Sequence, residues 1–143
     1  IIRGITCKKI FKYCGKNVQI QRKAYFGSGK EVEIGDNSGL GINCEIPSNI
    51  KIGKNVLMGP NCVVLNGNHE FKDNDIPIIE QGMRPSRRTI IEDNVWIGYG
   101  VIITPGRILK KGTIVAAGAV VTKDFPEFSI IGGNPAKIIR MRK

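Results

Sequence analysis

The stretch IEDNVWIGYGVIITPGRILKKGTIVAAGAVVTK, residues 91–123, decides the fold of this chain. It carries an aliphatic side chain at every sixth position, and an earlier stretch between residues 34 and 64 has the same spacing. A period of six fits neither an α-helix, which repeats every 3.6 residues, nor the simple alternation of a β-strand. It indicates an all-β solenoid of short parallel strands, with one inward aliphatic and one tight turn per six residues and three strands per coil. The predicted core positions are Ile34, Leu40, Ile46, Ile52, Met58, Val64, Ile91, Ile97, Ile103, Leu109, Val115 and Val121.

The repeat predicts which residues stack. Three strands of six residues complete a coil, so residues 18 apart should lie on the same face of neighbouring coils, about 4.8 Å from each other. Cys44 and Cys62 are such a pair. A disulfide between them is conceivable, and a stacked pair of reduced thiols is the preferred interpretation. The four cysteines form no CxxC pair, which is typical of reduced thiols and argues against a zinc site.

The composition agrees with a repetitive core. The 143 residues contain 18 glycines and only 6% aromatic residues, which suits tight turns around a narrow aliphatic interior. No apolar stretch approaches the roughly 20 residues that a membrane span needs, and no signal-peptide pattern opens the sequence. We therefore expect a soluble, cytoplasmic protein of one domain.

The net charge comes from the two ends of the chain. There are 22 basic and 12 acidic residues, a net charge of +10, yet residues 31–136 are close to neutral. Residues 1–30 contain eight basic and no acidic side chains, and residues 137–143 add four more basic ones. Such ends suit nucleic acid, an anionic membrane surface, a polyanionic substrate or cofactor phosphates. A solvated basic fringe without a partner is the alternative.

The periodicity divides the chain into three segments. The distance from Val64 to Ile91 is not a multiple of six, so the chain must leave the solenoid and return. We predict an N-terminal cap and first irregular coil over residues 1–33, with a short helix at about 5–13. The solenoid is predicted over 34–126, with an extruded loop at 66–89. A C-terminal strand and short helix are predicted over 127–143, with the helix at about 135–140.

The extruded loop carries His69, the only histidine of the chain. Loops on rigid scaffolds often hold functional residues, and an imidazole suits general-base chemistry near neutral pH. A surface histidine without a function is the alternative for an arbitrary loop. The position of His69 in the one large break of the repeat favours a functional role.

Four strings make the sequence resemble a known family. They are IGKNVLMGPNCVVLNGNHEF (52–71), IEDNVWIGYGVIITPG (91–106), VAAGAVVTKDFP (115–126) and GGNPAKIIR (132–140). In this order they resemble the hexapeptide-repeat acetyltransferases, in particular the branch of sugar O-acetyltransferases that includes the maltose and galactoside enzymes and those that modify bacterial exopolysaccharides. The resemblance covers about residues 16–140.

The resemblance implies a fold, an assembly and a donor. It implies a left-handed parallel β-helix, a homotrimer with active sites between neighbouring subunits, and acetyl-CoA as acetyl donor. No nucleic acid is expected, because coenzyme phosphates would use part of the C-terminal charge, and a peripheral contact of the basic N-terminal segment with a membrane surface stays open. No metal is expected, since one histidine is too few for the three-histidine site of hexapeptide-type carbonic anhydrases.

The resemblance also implies roles for individual residues. His69 matches the general base that takes the proton from an acceptor hydroxyl, which then attacks the thioester directly. The backbone N–H of Tyr99 matches the donor to the tetrahedral oxyanion, and Trp96 matches an aromatic residue lining the acceptor and pantetheine region. The remaining matches are Ala117 and Thr122 along the pantetheine arm, and Lys137 and Arg140 near the adenosine 3′-phosphate.

The departures from the family concern the acceptor. Gly39 stands where the sugar acetyltransferases have an acceptor-binding Asn, and residues 1–30 hold no acidic acceptor contact. In the loop, Glu70 or Glu80 could orient the imidazole and Gln81 could bind an acceptor hydroxyl, although solvated side chains are the simpler interpretation. The preferred function is a sugar O-acetyltransferase of surface polysaccharide synthesis. The alternatives are an N-acetyltransferase of an antibiotic or amino sugar, and a non-catalytic solenoid subunit.

Overall fold

The computed structural model describes residues 6–85 and 87–143. Most of this chain winds into coils of two-residue strands separated by tight turns. The strands are β1 (Tyr13–Cys14), β2 (Gln19–Ile20), β3 (Glu33–Ile34), β4 (Gly39–Leu40), β5 (Lys51–Ile52), β6 (Leu57–Met58), β7 (Val63–Val64), β8 (Asn68–His69), β9 (Met83–Arg84), β10 (Ile90–Ile91), β11 (Trp96–Ile97), β12 (Ile102–Ile103), β13 (Ile108–Leu109), β14 (Ile114–Val115), β15 (Val120–Val121), β16 (Ser129–Gly132) and β17 (Lys137–Met141). A 3₁₀ helix occupies Ile78–Glu80.

The coils stack their strands into three sheets. The first sheet has the order β1-β3-β5-β10-β13, the second β2-β4-β6-β11-β14-β16-β17, and the third β7-β12-β15. All pairs along the coils are parallel, and residues 18 apart pair as predicted, for example Trp96 with Ile114 and Ile102 with Val120. The all-β solenoid of hexapeptide repeats predicted from the sequence is therefore confirmed.

The core is the column of repeated aliphatic side chains. All twelve predicted core residues are at most 4% exposed. The position four residues after each aliphatic of the first and second sheets, from Ile34 to Val115, also points inward, and it is small or β-branched because the triangular interior leaves little room there. Ser38, Cys44, Val56, Cys62, Val95, Val101, Thr113 and Ala119 occupy this position, and all are buried.

Cys44 and Cys62 occupy this inner column as free thiols. Each thiol donates to a backbone carbonyl, Cys44 to Gly59 and Cys62 to Gly98, at sulfur–oxygen distances of 3.1 Å. The neighbouring Cys44 thiol, together with burial, raises the pKa of Cys62. The preferred interpretation of a reduced pair is thus confirmed, and the two thiols serve packing.

Asparagines form the turns before four strands of the second sheet, β2, β4, β6 and β11. Asn37, Asn55 and Asn94 have φ values of +56° to +59°, a left-handed conformation that Asn tolerates better than most residues. Their side chains also join neighbouring coils: Asn17 donates to Asn37 at 3.1 Å, and Asn37 donates to Asn55 at 3.2 Å. The asparagines therefore fix both the turn and the stacking of the coils.

We expect Asn37→Ala to lower the free energy of unfolding by about 1 to 2 kcal/mol, because an alanine at positive φ is strained and the amide ladder is cut. Asn37→Gly is the matched control, since glycine accepts this φ and loses only the ladder. Urea denaturation of both variants measures the difference. Equal destabilisation by Ala and Gly would contradict a conformational role for Asn37.

The break in the repeat is an extruded loop between β7 and β10. It begins with an antiparallel hairpin of β8 and β9, in which Asn68 pairs with Arg84 and His69 with Met83. Gln81 holds the tip: its amide donates to the carbonyls of Asp73 and Ile76 at 2.7 Å and accepts from the Asp73 N–H at 3.1 Å. Gln81 is thus committed to loop structure in this fold.

Arg88 fixes the point where the chain re-enters the solenoid. Its guanidinium donates to the carbonyls of Asn49, Glu31 and Ile50, and to the carboxylate of Glu33 at 3.1 Å. These acceptors belong to the two coils that precede the loop. The hydrogen bond from Arg88 lowers the pKa of Glu33 below its ordinary value.

The C-terminal helix predicted at about residues 135–140 is wrong. Residues Lys137–Met141 form β17, which runs antiparallel to β16. The β-branched pair Ile138 and Ile139 favours a strand, and β16 offers the backbone groups of an otherwise unpaired edge. The chain therefore ends in a hairpin that covers the edge of the second sheet.

The N-terminal segment contains less helix than predicted. Within the described part of the range 5–13, only residues 6 and 7 are helical, and a turn follows over residues 8–10. The first coil spans 20 residues, two more than the regular 18, since Tyr13 pairs with Glu33. In the described ranges, no helix is long and apolar enough to cross a membrane.

Candidate active site

The outward face of the second sheet collects several predicted site residues. Partners in a β-ladder point to the same face, and Trp96 on β11 pairs with Ile114, which in turn pairs with Ile130. Ile130 pairs with Arg140 on β17. One outward column therefore joins the half-exposed Trp96 to Arg140, three strand spacings or about 14 Å apart.

A bulge in β17 brings Lys137 onto the face that carries Arg140. Residues three apart in a regular strand point to opposite sides. Here Ile131 pairs with Ile138 and Ile130 with Arg140, so Ile139 is an extra residue in the ladder. Lys137 pairs with Gly132 and faces outward as Arg140 does. The two cations consequently lie on one side of the C-terminal hairpin.

A cleft adjoins Trp96 on this face. Its volume is about 230 Å³, and its lining includes the amides of Asn55 and Asn94 and the guanidinium of Arg142. Arg142 donates to the carbonyl of Gly112 at 2.8 Å, which positions it beside the sheet. No pattern in the sequence indicates that these three residues lie in one cleft, because only the stacking of the coils brings them next to Trp96.

The turn after β11 presents a backbone N–H to the outside. Within the described residues, the N–H of Tyr99 donates no hydrogen bond, whereas its carbonyl accepts from Gly118 at 2.8 Å. Gly98 allows the next coil to approach closely, since a Cβ there would lie 2.7 Å from the Ala117 nitrogen. Tyr99 and the exposed Ala117 thus stack at one corner, and the free amide suits an oxyanion.

His69 lies at a different corner of the solenoid. It is exposed on β8, in the hairpin that leaves the solenoid after β7 of the third sheet. Its imidazole makes no hydrogen bond or ion pair to any residue of the described ranges. Glu70 accepts from the Phe71 N–H at 3.2 Å. The loop therefore leaves the imidazole accessible to a ligand.

The structure separates the predicted residues into two groups. Trp96, Tyr99 and Ala117, with the two C-terminal cations, lie on the second sheet and the corner that follows it. His69 and the exposed Thr122 come after strands of the third sheet, so they lie at its opposite edge. A single subunit does not bring the imidazole and the Tyr99 amide together.

Known proteins share both the repeat and the fold. Residues 31–66 and 88–123 match the bacterial transferase hexapeptide (six repeats) family. Galactoside O-acetyltransferase from Escherichia coli is 33% identical over 144 residues, covering 96% of this chain and 68% of the relative. Two crystal structures, each 30% identical in sequence, superpose on this chain. A maltose O-acetyltransferase from Clostridium difficile has a TM-score of 0.85, and the match covers 99% of this chain and 75% of that one. A Vibrio cholerae hexapeptide-repeat acetyltransferase in complex with acetyl-CoA has a TM-score of 0.87, and the match covers 99% of this chain and 77% of that one.

These matches define the class of the protein. The repeat and the coil stacking are those of a hexapeptide-repeat transferase. The chain belongs to the hexapeptide-repeat acetyltransferases and is related to the maltose and galactoside O-acetyltransferases. It spans 67%, 58%, 64% and 68% of the lengths of four curated relatives from yeasts and bacteria.

Proposed function

We propose that the chain transfers an acetyl group from acetyl-CoA to a hydroxyl of a sugar, in the synthesis of a surface polysaccharide. The observation that carries this proposal is the grouping of Trp96, the free amide of Tyr99, Ala117 and the Lys137–Arg140 pair on the second sheet and the corner that follows it. This group provides an apolar surface and an oxyanion donor at one end and, about 14 Å along the sheet, two cations for a phosphate. Such an arrangement suits a thioester with a long arm and a terminal phosphate.

The reaction needs a base on the acceptor side of the thioester. His69 takes the proton from the acceptor hydroxyl as its oxygen attacks the thioester carbonyl. The Tyr99 N–H stabilises the negative charge on the carbonyl oxygen in the tetrahedral intermediate. Collapse of the intermediate expels the coenzyme thiolate, which takes up the proton held by the imidazole. No acyl-enzyme forms, so the buried cysteines need no part in it.

The separation of the two groups of residues supports a site shared between subunits. His69 and Thr122 lie at one edge of the third sheet, while Tyr99 and Ala117 lie at the other. In a homotrimer of left-handed coils, as the family resemblance implies, one subunit supplies the imidazole. Its neighbour supplies the Tyr99 amide and the coenzyme face, which consists of Trp96, Ala117, Lys137 and Arg140. The outward column also leaves Leu57 and Trp96 more than half exposed, which suits burial by a partner or by the pantetheine arm.

Coenzyme binding tests the proposal. Titration calorimetry with coenzyme A should show saturable binding, and thiol release should depend on an added sugar in a panel that includes glucosamine. Absence of coenzyme A binding would favour the non-catalytic solenoid. Acetylation of glucosamine at nitrogen alone would favour the N-acetyltransferase.

We expect Lys137→Gln and Arg140→Gln each to raise the KM for acetyl-CoA about tenfold, because each removes a charge-assisted hydrogen bond to the 3′-phosphate. The same variants should not weaken the binding of dephospho-CoA, which lacks this phosphate. Lys143→Gln is the control for net charge at the C terminus. An equal loss for both coenzymes would contradict the assignment.

A further inference from the structure

A second basic site lies beside the His69 hairpin. It is a pocket of about 490 Å³, a volume typical of small-ligand sites. We call it the arginine pocket, and its lining residues are Asn68, Arg84, Pro85, Arg87, Pro105 and Arg107. Of the residues assigned to the coenzyme above, Thr122 borders this pocket, through its carbonyl that accepts from Arg107. The phosphate-binding pair Lys137 and Arg140 lies on the second sheet, whereas the pocket lies where the loop joins the turn after the third sheet.

The charge of the arginine pocket is positive. Three guanidiniums face one carboxylate, that of Asp124, which pairs with Arg87 and lies 3.9 Å from Arg107. Arg107 also donates to the carbonyls of Pro105 and Thr122 at 3.3 and 3.2 Å, so its guanidinium is held in place. One acid cannot neutralise three cations, two of which are held in place by hydrogen bonds, and an anion is the complementary ligand.

Donors remain available in the arginine pocket. Arg87 uses Nε for the Gly106 carbonyl and Nη2 for Asp124, and Arg107 uses Nε and Nη1, so each keeps one further nitrogen. The guanidinium of Arg84 lies 5.6 Å from the centre of the Phe71 ring and makes no hydrogen bond to the described residues. These donors match the several oxygens of a phosphate or carboxylate.

The pocket is coupled to His69 through one strand. Asn68 lines the pocket and is followed directly by His69, and Arg84 pairs with Asn68 across the hairpin. Successive residues of a strand point to opposite faces. The pocket and the imidazole therefore lie on the two faces of one strand, and the edge of β8 away from β9 has no strand partner among the described residues.

From this juxtaposition we infer that the arginine pocket binds a phosphate or carboxylate group of the acceptor, whose sugar ring lies across the unpaired edge of β8 so that a hydroxyl on its other side reaches His69. The inference rests on the proposed function, since it assigns the acceptor to a class: glycosyl phosphates and acidic saccharides. The loop that carries the base then also selects the substrate.

Acetyl transfer to glucose 1-phosphate and to glucose tests this inference. We expect kcat/KM to be at least tenfold higher for glucose 1-phosphate. Arg84→Gln and Arg107→Gln should each lower kcat/KM about tenfold for glucose 1-phosphate and less than twofold for glucose. Arg22→Gln, at an exposed site near the N terminus, is the matched control. The Arg84 side chain makes no hydrogen bond to a described residue, so its variant keeps the test valid if Arg107→Gln unfolds.

Binding without turnover separates this inference from the proposed function. Calorimetric titration of glucose 1-phosphate should show binding that Arg84→Gln weakens and that rising salt weakens. If no sugar is acetylated but this binding is seen, the proposed function fails and the anion site stands. Equal binding by the parent and Arg84→Gln would overturn the inference. A rise in the KM for acetyl-CoA alone would also overturn it, by assigning the pocket to the coenzyme.

Discussion

Replacement of His69 by alanine should lower kcat for acetyl transfer by at least 10²-fold, within the range for loss of a general base. The variant keeps the hairpin, because the His69 imidazole makes no hydrogen bond or ion pair to a described residue and β8 pairs through backbone groups. The acceptor hydroxyl would then have to lose its proton to water during attack. Thiol release from acetyl-CoA in the presence of the best acceptor measures the loss.

Lys72→Ala is the control for the His69 variant. Lys72 is an exposed side chain of the same loop, three residues further along the chain. We expect its turnover to stay within twofold of the parent, and coenzyme A to bind both variants equally. Unchanged turnover in His69→Ala would end the general-base mechanism while leaving the coenzyme face intact.

Replacement of Arg88 by glutamine should produce the largest loss of stability among the surface variants, about 2 to 3 kcal/mol. The guanidinium donates to three carbonyls and to the carboxylate of Glu33, and hydrogen bonds to charged groups contribute about 1.5 to 3 kcal/mol. Without it, these acceptors lose their partner at the junction of loop and solenoid. Urea denaturation at neutral pH measures the change.

The same pair makes stability depend on pH. Because the hydrogen bond from Arg88 lowers the pKa of Glu33 in the folded state, the carboxylate contributes stability above its unfolded pKa of about 4.3. This contribution is lost as the pH falls through the lower, folded pKa. Arg88→Gln should therefore show a flatter fall of stability below about pH 4.3 than the parent.

Arg22→Gln removes the same charge from an exposed site and controls for net charge. It should change the free energy of unfolding by less than about 0.5 kcal/mol and keep the acid dependence of the parent. If Arg88→Gln and Arg22→Gln unfold alike at every pH, the four hydrogen bonds of Arg88 do not stabilise the junction.

The solenoid could be predicted because its determinants are local and repeated. One aliphatic side chain every six residues fixes the column from Ile34 to Val121, and each repeat gives the same information again. The stacking of Cys44 on Cys62 follows from the same count. The sequence also located the break in the repeat, because a break is visible wherever the period fails.

The C-terminal hairpin could not be predicted in this way. No repeat covers residues 137–141, and the short basic segment suggested a helix. The strand forms because β16 leaves an edge to be paired, which is a property of the stacked coils and not of the segment. The bulge at Ile139, which turns Lys137 and Arg140 to one side, is likewise set by the pairing.

The arginine pocket escaped sequence analysis for a related reason. Arg84, Arg87 and Arg107 come from the loop and from a turn in the next coil, and no spacing relates them. No sequence pattern singles out Asn68, which directly precedes His69. A search for clustered basic residues finds Arg84, Arg87 and Arg88 together, but it does not add Arg107, and Arg88 serves the fold.

The direct pairing of Lys51 with Ile90 has a consequence for how this protein can change. The coils continue across the junction as though the intervening residues were absent, so the loop adds no length to the scaffold and interrupts none of its inner columns. Insertions, deletions or wholesale exchange of that loop should leave the coil in place, provided that Arg88 is kept. If the loop selects the acceptor, as proposed above, then grafting a loop from a relative should change the acceptor preference without redesigning the coil that carries it.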